Sequence, residues 1–173
     1  LPFRNAGTTG NPKYQYAPEF ERQIPEELAT WVLLRDYDGD GNVDIFTALS
    51  GISYVRVFRN HGPQNGDPHT FLPENDTLLT LYPPVRPVYV PRTDIPSIAD
   101  LDGDGDLDIL GFDIGGSFLV FNRNVAVEKY GDRDHLEFEV ASRCYGHIRE
   151  DDSGCDFDLN LPPCLPGERI TDP

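Results

Sequence analysis

Short runs of alternating apolar and polar residues come in two matching sets along this chain. "WVLL" at 31–34 and "IPSIA" at 95–99 each end just before a dense block of aspartate. Beyond each block lies a β-like run, "VDIFTAL" at 43–49 and "LDILGFD" at 107–113. A Gly-containing turn and a second run follow, "SYVRVFRN" at 53–60 and "SFLVFNRN" at 117–124. Alternation with period two suits half-buried strands. A fourth run completes each set, "HTF" at 69–71 and "LEFEV" at 136–140. The two acidic blocks open at Asp36 and Asp100, a period of 64 residues.

The register extends upstream. "FRN" at 3–5 leads to "KYQY" at 13–16 as "FRN" at 58–60 leads to "HTF". Eleven residues separate Asn5 from Tyr16 and Asn60 from Phe71, whereas Asn124 and Phe138 are fourteen apart, which reads as a loop insertion. The unit is therefore strand, acidic loop, strand, turn, strand, loop, strand. Four antiparallel strands per unit make the blade of a β-propeller.

The predicted fold is all-β, a partial β-propeller of about two to three four-stranded blades with calcium loops. Residues 1–28 are assigned to the end of a preceding blade and a connection, and 29–92 to a blade with the first acidic loop. Residues 93–142 are the blade with the second loop, and 143–173 a cysteine-containing loop or the start of the next blade. Propellers close with about 4–8 blades, so the expectation is a segment of a larger protein. Leu at position 1 and the absence of Met are expected of either a processed protein or an interior fragment. "PEFERQIPEEL" at 18–28 is expected to form a helical turn. "YPPVRPVYVPRTDIP" at 82–96 carries five prolines and is expected to be an extended surface connection.

The acidic blocks carry the clearest chemistry. Counting Asp36 and Asp100 as position 1, carboxylates fall at positions 1, 3, 5 and 9: Asp36, Asp38, Asp40 and Asp44, then Asp100, Asp102, Asp104 and Asp108. Glycines between them let the backbone curl so that alternate side chains converge. A backbone carbonyl of Asn42 or Asp106 would face inward at position 7. Oxygen-only ligation rich in carboxylates suits a hard cation, and Ca²⁺ tolerates irregular geometry better than Mg²⁺. An EF-hand needs Glu at position 12 between flanking helices. Thr47 and Gly111 stand there instead, between strands, so that reading is rejected. Asp-Gly turns on a solvated surface are the plain alternative, but a match at every carboxylate one period apart exceeds turn chemistry. Two Ca²⁺ sites with a structural role are expected.

Composition narrows the function. Hydrophobic residues make up 38% of the 173, enough for a folded core, while 16 Pro and 16 Gly imply frequent turns. A formal charge of −16 with no basic stripe excludes nucleic acid as a partner. The same charge argues against docking on an anionic membrane, and no apolar run approaches a transmembrane span.

Cys144, Cys155 and Cys164 lie in the last thirty residues. One disulfide is favoured over a zinc site completed by His147, since the spacing fits no common finger or ribbon. The pairing is open; Cys144 with Cys164 would staple the loop between them.

No nucleophile elbow, P-loop, zinc-protease helix or dinucleotide fingerprint is present. His61, His69, His135 and His147 fall in predicted loops or near strand edges, and pairing a histidine with an aspartate means little in so acidic a chain. No catalytic residue is assigned, and the expectation is a non-enzymatic segment. Asn75 and Thr77 fit short glycosylation triplets, but an ordinary polar loop is the favoured reading. Trp31 is expected to pack in the core or between blades rather than to form a ligand platform.

"DYDGDGNVDIF" and "DLDGDGDLDIL", each followed by a strand ending in "FRN" or "NRN", resemble the FG-GAP/VCBS repeat family, whose blades also build the integrin α-chain propeller. The likeness covers residues 1 to about 142. It implies a calcium loop between the first two strands of each blade, held by the residues named above. The tail "CYGHIREDDSGCDFDLNLPPC" resembles the cysteine-bounded insertion of large secreted surface proteins of gliding-type bacteria. The resemblance implies export and an extracellular or cell-surface location. It further implies a binding or adhesion scaffold whose partners are the rest of its propeller and a protein or glycan at the cell surface. A non-catalytic part of a secreted polysaccharide-active enzyme, or an architectural spacer in a surface or secretion assembly, are the alternatives. An aromatic-lined pocket would favour binding, and convergent acids with strongly shifted pKa values would favour catalysis.

Overall fold

The structure is a computed structural model of the 173-residue chain, and it describes all residues except 29, 50, 76, 82–84, 152–153, 155 and 160–173. A small hairpin, β1 (Phe3–Asn5) with β2 (Tyr14–Tyr16), opens the chain, followed by a 3-10 turn over Pro18–Gln23. The first sheet contains β3 (Val32–Arg35), β4 (Asp44–Ala48), β5 (Val55–Asn60) and β6 (Phe71–Asn75), antiparallel and in chain order. A short ribbon of β7 (Leu79–Thr80) and β8 (Arg86–Pro87) follows and joins the edge of the second sheet, Thr80 pairing in parallel with Phe138, so that this sheet has six strands in all.

That sheet holds β9 (Ser97–Ala99), β10 (Asp108–Phe112), β11 (Leu119–Asn124) and β12 (Phe138–Ser142), again antiparallel and in chain order. Between β11 and β12 lies a short helix, α1 (Ala126–Tyr130), closed by Gly131 in the left-handed conformation. A last hairpin, β13 (Arg149–Glu150) with β14 (Phe157–Asp158), bridges from Arg149 to Phe118 of the second sheet.

The period of 64 is written into backbone detail. The ladder between β5 and β6 slips between Val57 and Phe58, and that between β11 and β12 slips between Phe121 and Asn122, 64 residues on. A bulge bends the strand and increases its twist, so both blades are bent at the same point. β4 is buried along its whole length, flanked by β3 and β5 and with Phe46 and Ala48 in the apolar cluster.

One apolar cluster spans both sheets. It joins Trp31, Tyr37, Phe46, Val55 and Val57 of the first sheet region to Ile98, Ile109 and Phe138 of the second, through Leu78, Val88 and Val90 of the connection. Fully burying a side chain of this size stabilises by roughly 1.5–3 kcal/mol, so the interface between blades is a main source of stability. Trp31 is 5% exposed within this cluster.

The proline-rich connection departs from the surface path read from its sequence. Val88 and Val90 are buried, and their backbones pair with the first sheet: Val55 N–H donates to the Val88 carbonyl at 3.2 Å, and Val90 N–H to the Ser53 carbonyl at 2.9 Å. Leu81 N–H donates to Phe138 O of the second sheet at 2.6 Å. The prolines spare this segment unsatisfied donors, while its valines alternate inward; the alternation, not the proline count, decides its burial. Helix α1 stands where the sequence reads as a loop insertion. It occupies the insertion between Asn124 and Phe138, and five residues are too few for a periodic signal.

Candidate metal centre

Each acidic loop is a set of Asx turns built by its own aspartates. In the first, Asp36 accepts from Gly39 N–H at 2.9 Å and Gly41 N–H at 3.0 Å. Asp38 accepts from Asp40 N–H, and Asp40 from Asn42 N–H. In the second, Asp100 accepts from Gly103 N–H at 2.7 Å, Asp102 from Asp104 N–H, and Asp104 from Asp106 N–H. This winding turns the side chains at positions 1, 3 and 5 of the first loop inward, and Asp36, Asp38 and Asp40 have oxygens within 4.8 Å of one another.

The carboxylates at position 9 clasp the two ends of the loop. Asp44 is fully buried and accepts from Tyr37 N–H at 3.0 Å and Asn60 N–H at 2.8 Å. Asp108, equally buried, accepts from Leu101 N–H at 2.8 Å and Asn124 N–H at 2.9 Å. The second loop gathers Asp100, Asp102 and Asp108, whereas Asp44 stands outside the group formed in the first.

Why the third strand of each blade ends in Arg-Asn now has a physical answer. Asn60 ties the loop to the next connection: its Nδ2 donates to Val43 O, and its Oδ1 accepts from Gly62 and Thr70 N–H. Asn124 braces its own connection, Nδ2 donating to His135 O and Oδ1 accepting from Glu137 N–H, and Asn5 receives Gly7 and Lys13 N–H at the start of the chain. The neighbouring arginines turn to position 3. Arg59 Nη2 lies 2.6 Å from Asp38 Oδ2, an ion-pair approach rather than an aligned hydrogen bond, and Arg123 Nη1 lies 3.9 Å from Asp102 Oδ2.

The second loop has further partners. Glu128, on α1, brings an oxygen within 4.8 Å of Asp102 and Asp104. Asp106 does more than offer a carbonyl; its side chain is buried and Oδ2 accepts from Val127 N–H at 3.2 Å. Asn42, at the matching position, bonds Asp40 Oδ2 through Nδ2 at 3.1 Å. From the same insertion, Arg133 reaches across both loops. A methyl group at Gly105, where φ is +103°, would meet Arg133 Nη2 at 2.9 Å, and one at Gly39 would lie 3.9 Å from Nη1. None of Arg59, Arg123, Glu128 and Arg133 was assigned from sequence. The recurring "RN" and the lengthened third loop were the available signals.

The electrostatics describe a site short of positive charge. Burial pushes the Asp44 and Asp106 carboxyls up to about 6 and Asp108 up to about 7, with neighbouring aspartates adding to the rise. Burial also raises Asp38 and Asp102. Asp104 Oδ2 and Asp106 Oδ1 are buried without a hydrogen-bond partner. Orphaned carboxylate oxygens in an all-oxygen donor set fit a hard divalent cation.

The remaining candidates lie elsewhere. Asn75 ends β6, half-buried and paired with Val57, and Thr77 follows it in the connection. Cys144 is buried beside a 3-10 turn over Tyr145–His147, while Cys155 and Cys164 lie outside the described residues. His61 and His135 are exposed in loops, and His69 Nδ1 contacts Asn60 Nδ2 at 3.3 Å. Among the described residues no helix is long and apolar enough to cross a membrane.

Residues 36–111 match the FG-GAP-like repeat family, from the first aspartate of one acidic loop to the second strand of the next blade. Comparison with curated proteins and with solved structures finds no match to the chain. Over those residues the chain is similar to FG-GAP-like repeats, and its two four-stranded antiparallel units are built as β-propeller blades.

Proposed function

We propose that this chain is a calcium-stabilised propeller segment of an exported or cell-surface protein, serving as a non-enzymatic scaffold that binds a protein or glycan. The observation that carries the calcium reading is a repeated acidic loop whose second copy holds two buried carboxylate oxygens, Asp104 Oδ2 and Asp106 Oδ1, without hydrogen-bond partners. Asp36, Asp38 and Asp40 would hold one ion, and Asp100, Asp102, Asp104 and Asp108 the other, with Asn42 and Asp106 offering carbonyls. A bound Ca²⁺ would offset two negative charges in each loop and tie together the first two strands of its blade. A disulfide from Cys144 belongs to the same picture of oxidising surroundings.

Binding, rather than spacing alone, is supported by an aromatic-lined cleft between the blades at the end away from the acidic loops. The test is calcium uptake by the chelator-stripped chain, followed by calorimetry and elemental analysis. Two ions per chain are expected, with Asp38→Ala and Asp102→Ala each removing one. No uptake at millimolar calcium would refute the reading.

A further inference from the structure

The acidic loops sit at one end of β4 and β10, and both strands run from there to turns at the other end of the sheets. At that other end a cleft of about 1060 Å³ opens between the blades. Tyr54, Tyr89, Phe112 and Phe118 supply aromatic faces, and Arg86 and Arg143 supply two guanidinium groups. The cleft is large for a small-molecule site, for which about 300–1,000 Å³ is usual. Its one carboxylate among these linings, Asp113, is committed to the chain, since Oδ1 accepts from Ser117 and Phe118 N–H at 3.0 and 3.2 Å.

Two cations lining one cleft stand out in a chain of formal charge −16. Guanidinium groups pair with carboxylates through parallel hydrogen bonds. A chain this acidic repels polyanions at long range, so the charge complementarity is for a ligand bearing few carboxylates. Aromatic faces beside such groups suit a ligand with both apolar faces and polar edges. The strand edge bordering the cleft is β8, two residues long and including Pro87, which has no N–H to give a ladder. An added peptide strand would find no template there.

We infer that this cleft binds a carboxylated saccharide, its acid held by Arg86 and Arg143 and its ring faces by the aromatic side chains. The inference rests on the scaffold reading above and names its ligand class.

The experiment titrates the 173-residue chain, at saturating calcium, with 3′-sialyllactose, digalacturonate and a hyaluronan tetrasaccharide, each beside its carboxyl-reduced form. Binding is read by calorimetry and by amide shifts in NMR. At least one acidic sugar should bind, and its reduced form should bind about tenfold more weakly. Arg86→Gln changes an exposed side chain and should weaken the acidic form by about tenfold while leaving the reduced form unchanged. Tyr89→Ala should weaken both forms.

Failure of all three sugars to bind overturns the inference, as does binding that ignores Arg86→Gln and Tyr89→Ala, which would place the sugar outside the cleft. Tighter binding of triglutamate than of any sugar overturns it in favour of an acidic peptide. Calcium uptake is measured on the same sample. A chain that takes up calcium but ignores the sugars keeps the calcium-scaffold reading and loses this one; a chain that binds sugar without calcium does the reverse.

Discussion

Arg59 of the first blade and Asp134 of the second form an ion pair, Nη2 to Oδ1 at 2.7 Å, while the same guanidinium reaches Asp38 in its own acidic loop. The pair exists because the connection between β11 and β12, which includes α1, is three residues longer than its counterpart and reaches the neighbouring blade. Asp134 is largely exposed, so solvent screens the pair and its coupling should be about 0.2–1 kcal/mol. A double-mutant cycle with Arg59→Ala and Asp134→Ala checks this by thermal unfolding, and 1 M salt should abolish most of the coupling.

Asn60 and Asn124 each join the end of a strand to the loop beyond it through side-chain hydrogen bonds at both amide atoms. Both residues are buried, so alanine leaves backbone partners unmet. Asn60→Ala and Asn124→Ala should each cost about 2–3 kcal/mol. Asn5→Ala, at the exposed third copy, should cost well under half of that. Urea unfolding of the three variants tests the ranking.

Glu128 distinguishes the second acidic loop from the first, because α1 places it near Asp102 and Asp104. If both loops hold calcium, Glu128→Gln should weaken the second site by several-fold and leave the first unchanged. Calorimetry with Asp38→Ala as background isolates the second site. Equal affinities with and without Glu128 would show that the extra carboxylate contributes nothing.

Stripped of metal, the chain should grow more stable as pH falls from about 7 to about 5. Asp44, Asp106 and Asp108 have folded pKa values of about 6, 6 and 7 against an ordinary 3.8. A raised carboxyl favours the fold when protonated, so its contribution is full below the ordinary value and lost as pH climbs through the folded one. Asp40 and Asp132, held below the ordinary range by hydrogen bonds, act oppositely at still lower pH. Melting temperatures in chelator at pH 5 and pH 7.5 check the sign, and saturating calcium should reverse it.

The connection between blades is core, and truncation there should show it. Leu78 is 1% exposed and its backbone donates to Val55 O, so Leu78→Ala should cost about 2–5 kcal/mol. Val85, 58% exposed in the same connection, should tolerate alanine within about 0.5 kcal/mol. Similar losses at both positions would contradict the burial pattern.

Much of this architecture was legible along the chain because its cause is local. Alternation from "VDIFTAL" to "SFLVFNRN" marks the strands, and the spacing of aspartate and glycine in each block dictates the Asx turns. Repetition at 64 residues was enough to pair each loop with its two strands, and even the bulges obey it. Each of these features depends on residues within one blade, where backbone sterics and side-chain period decide the outcome.

What the tertiary structure alone decided depends on how two blades face each other. Val88 and Val90 are buried because two sheets close over them, and no local pattern in a proline-rich stretch reports a lid supplied from elsewhere. Arg133 lies over Gly39 and Gly105 because an insertion in one blade spans to the loop of the other. The cleft that joins Tyr54 and Arg86 to Phe118 exists only where the turns of both sheets diverge. Strands and loops follow from neighbours in sequence; the cation over the two acidic loops and the cleft at the far end follow from burying one apolar face of each blade against the other.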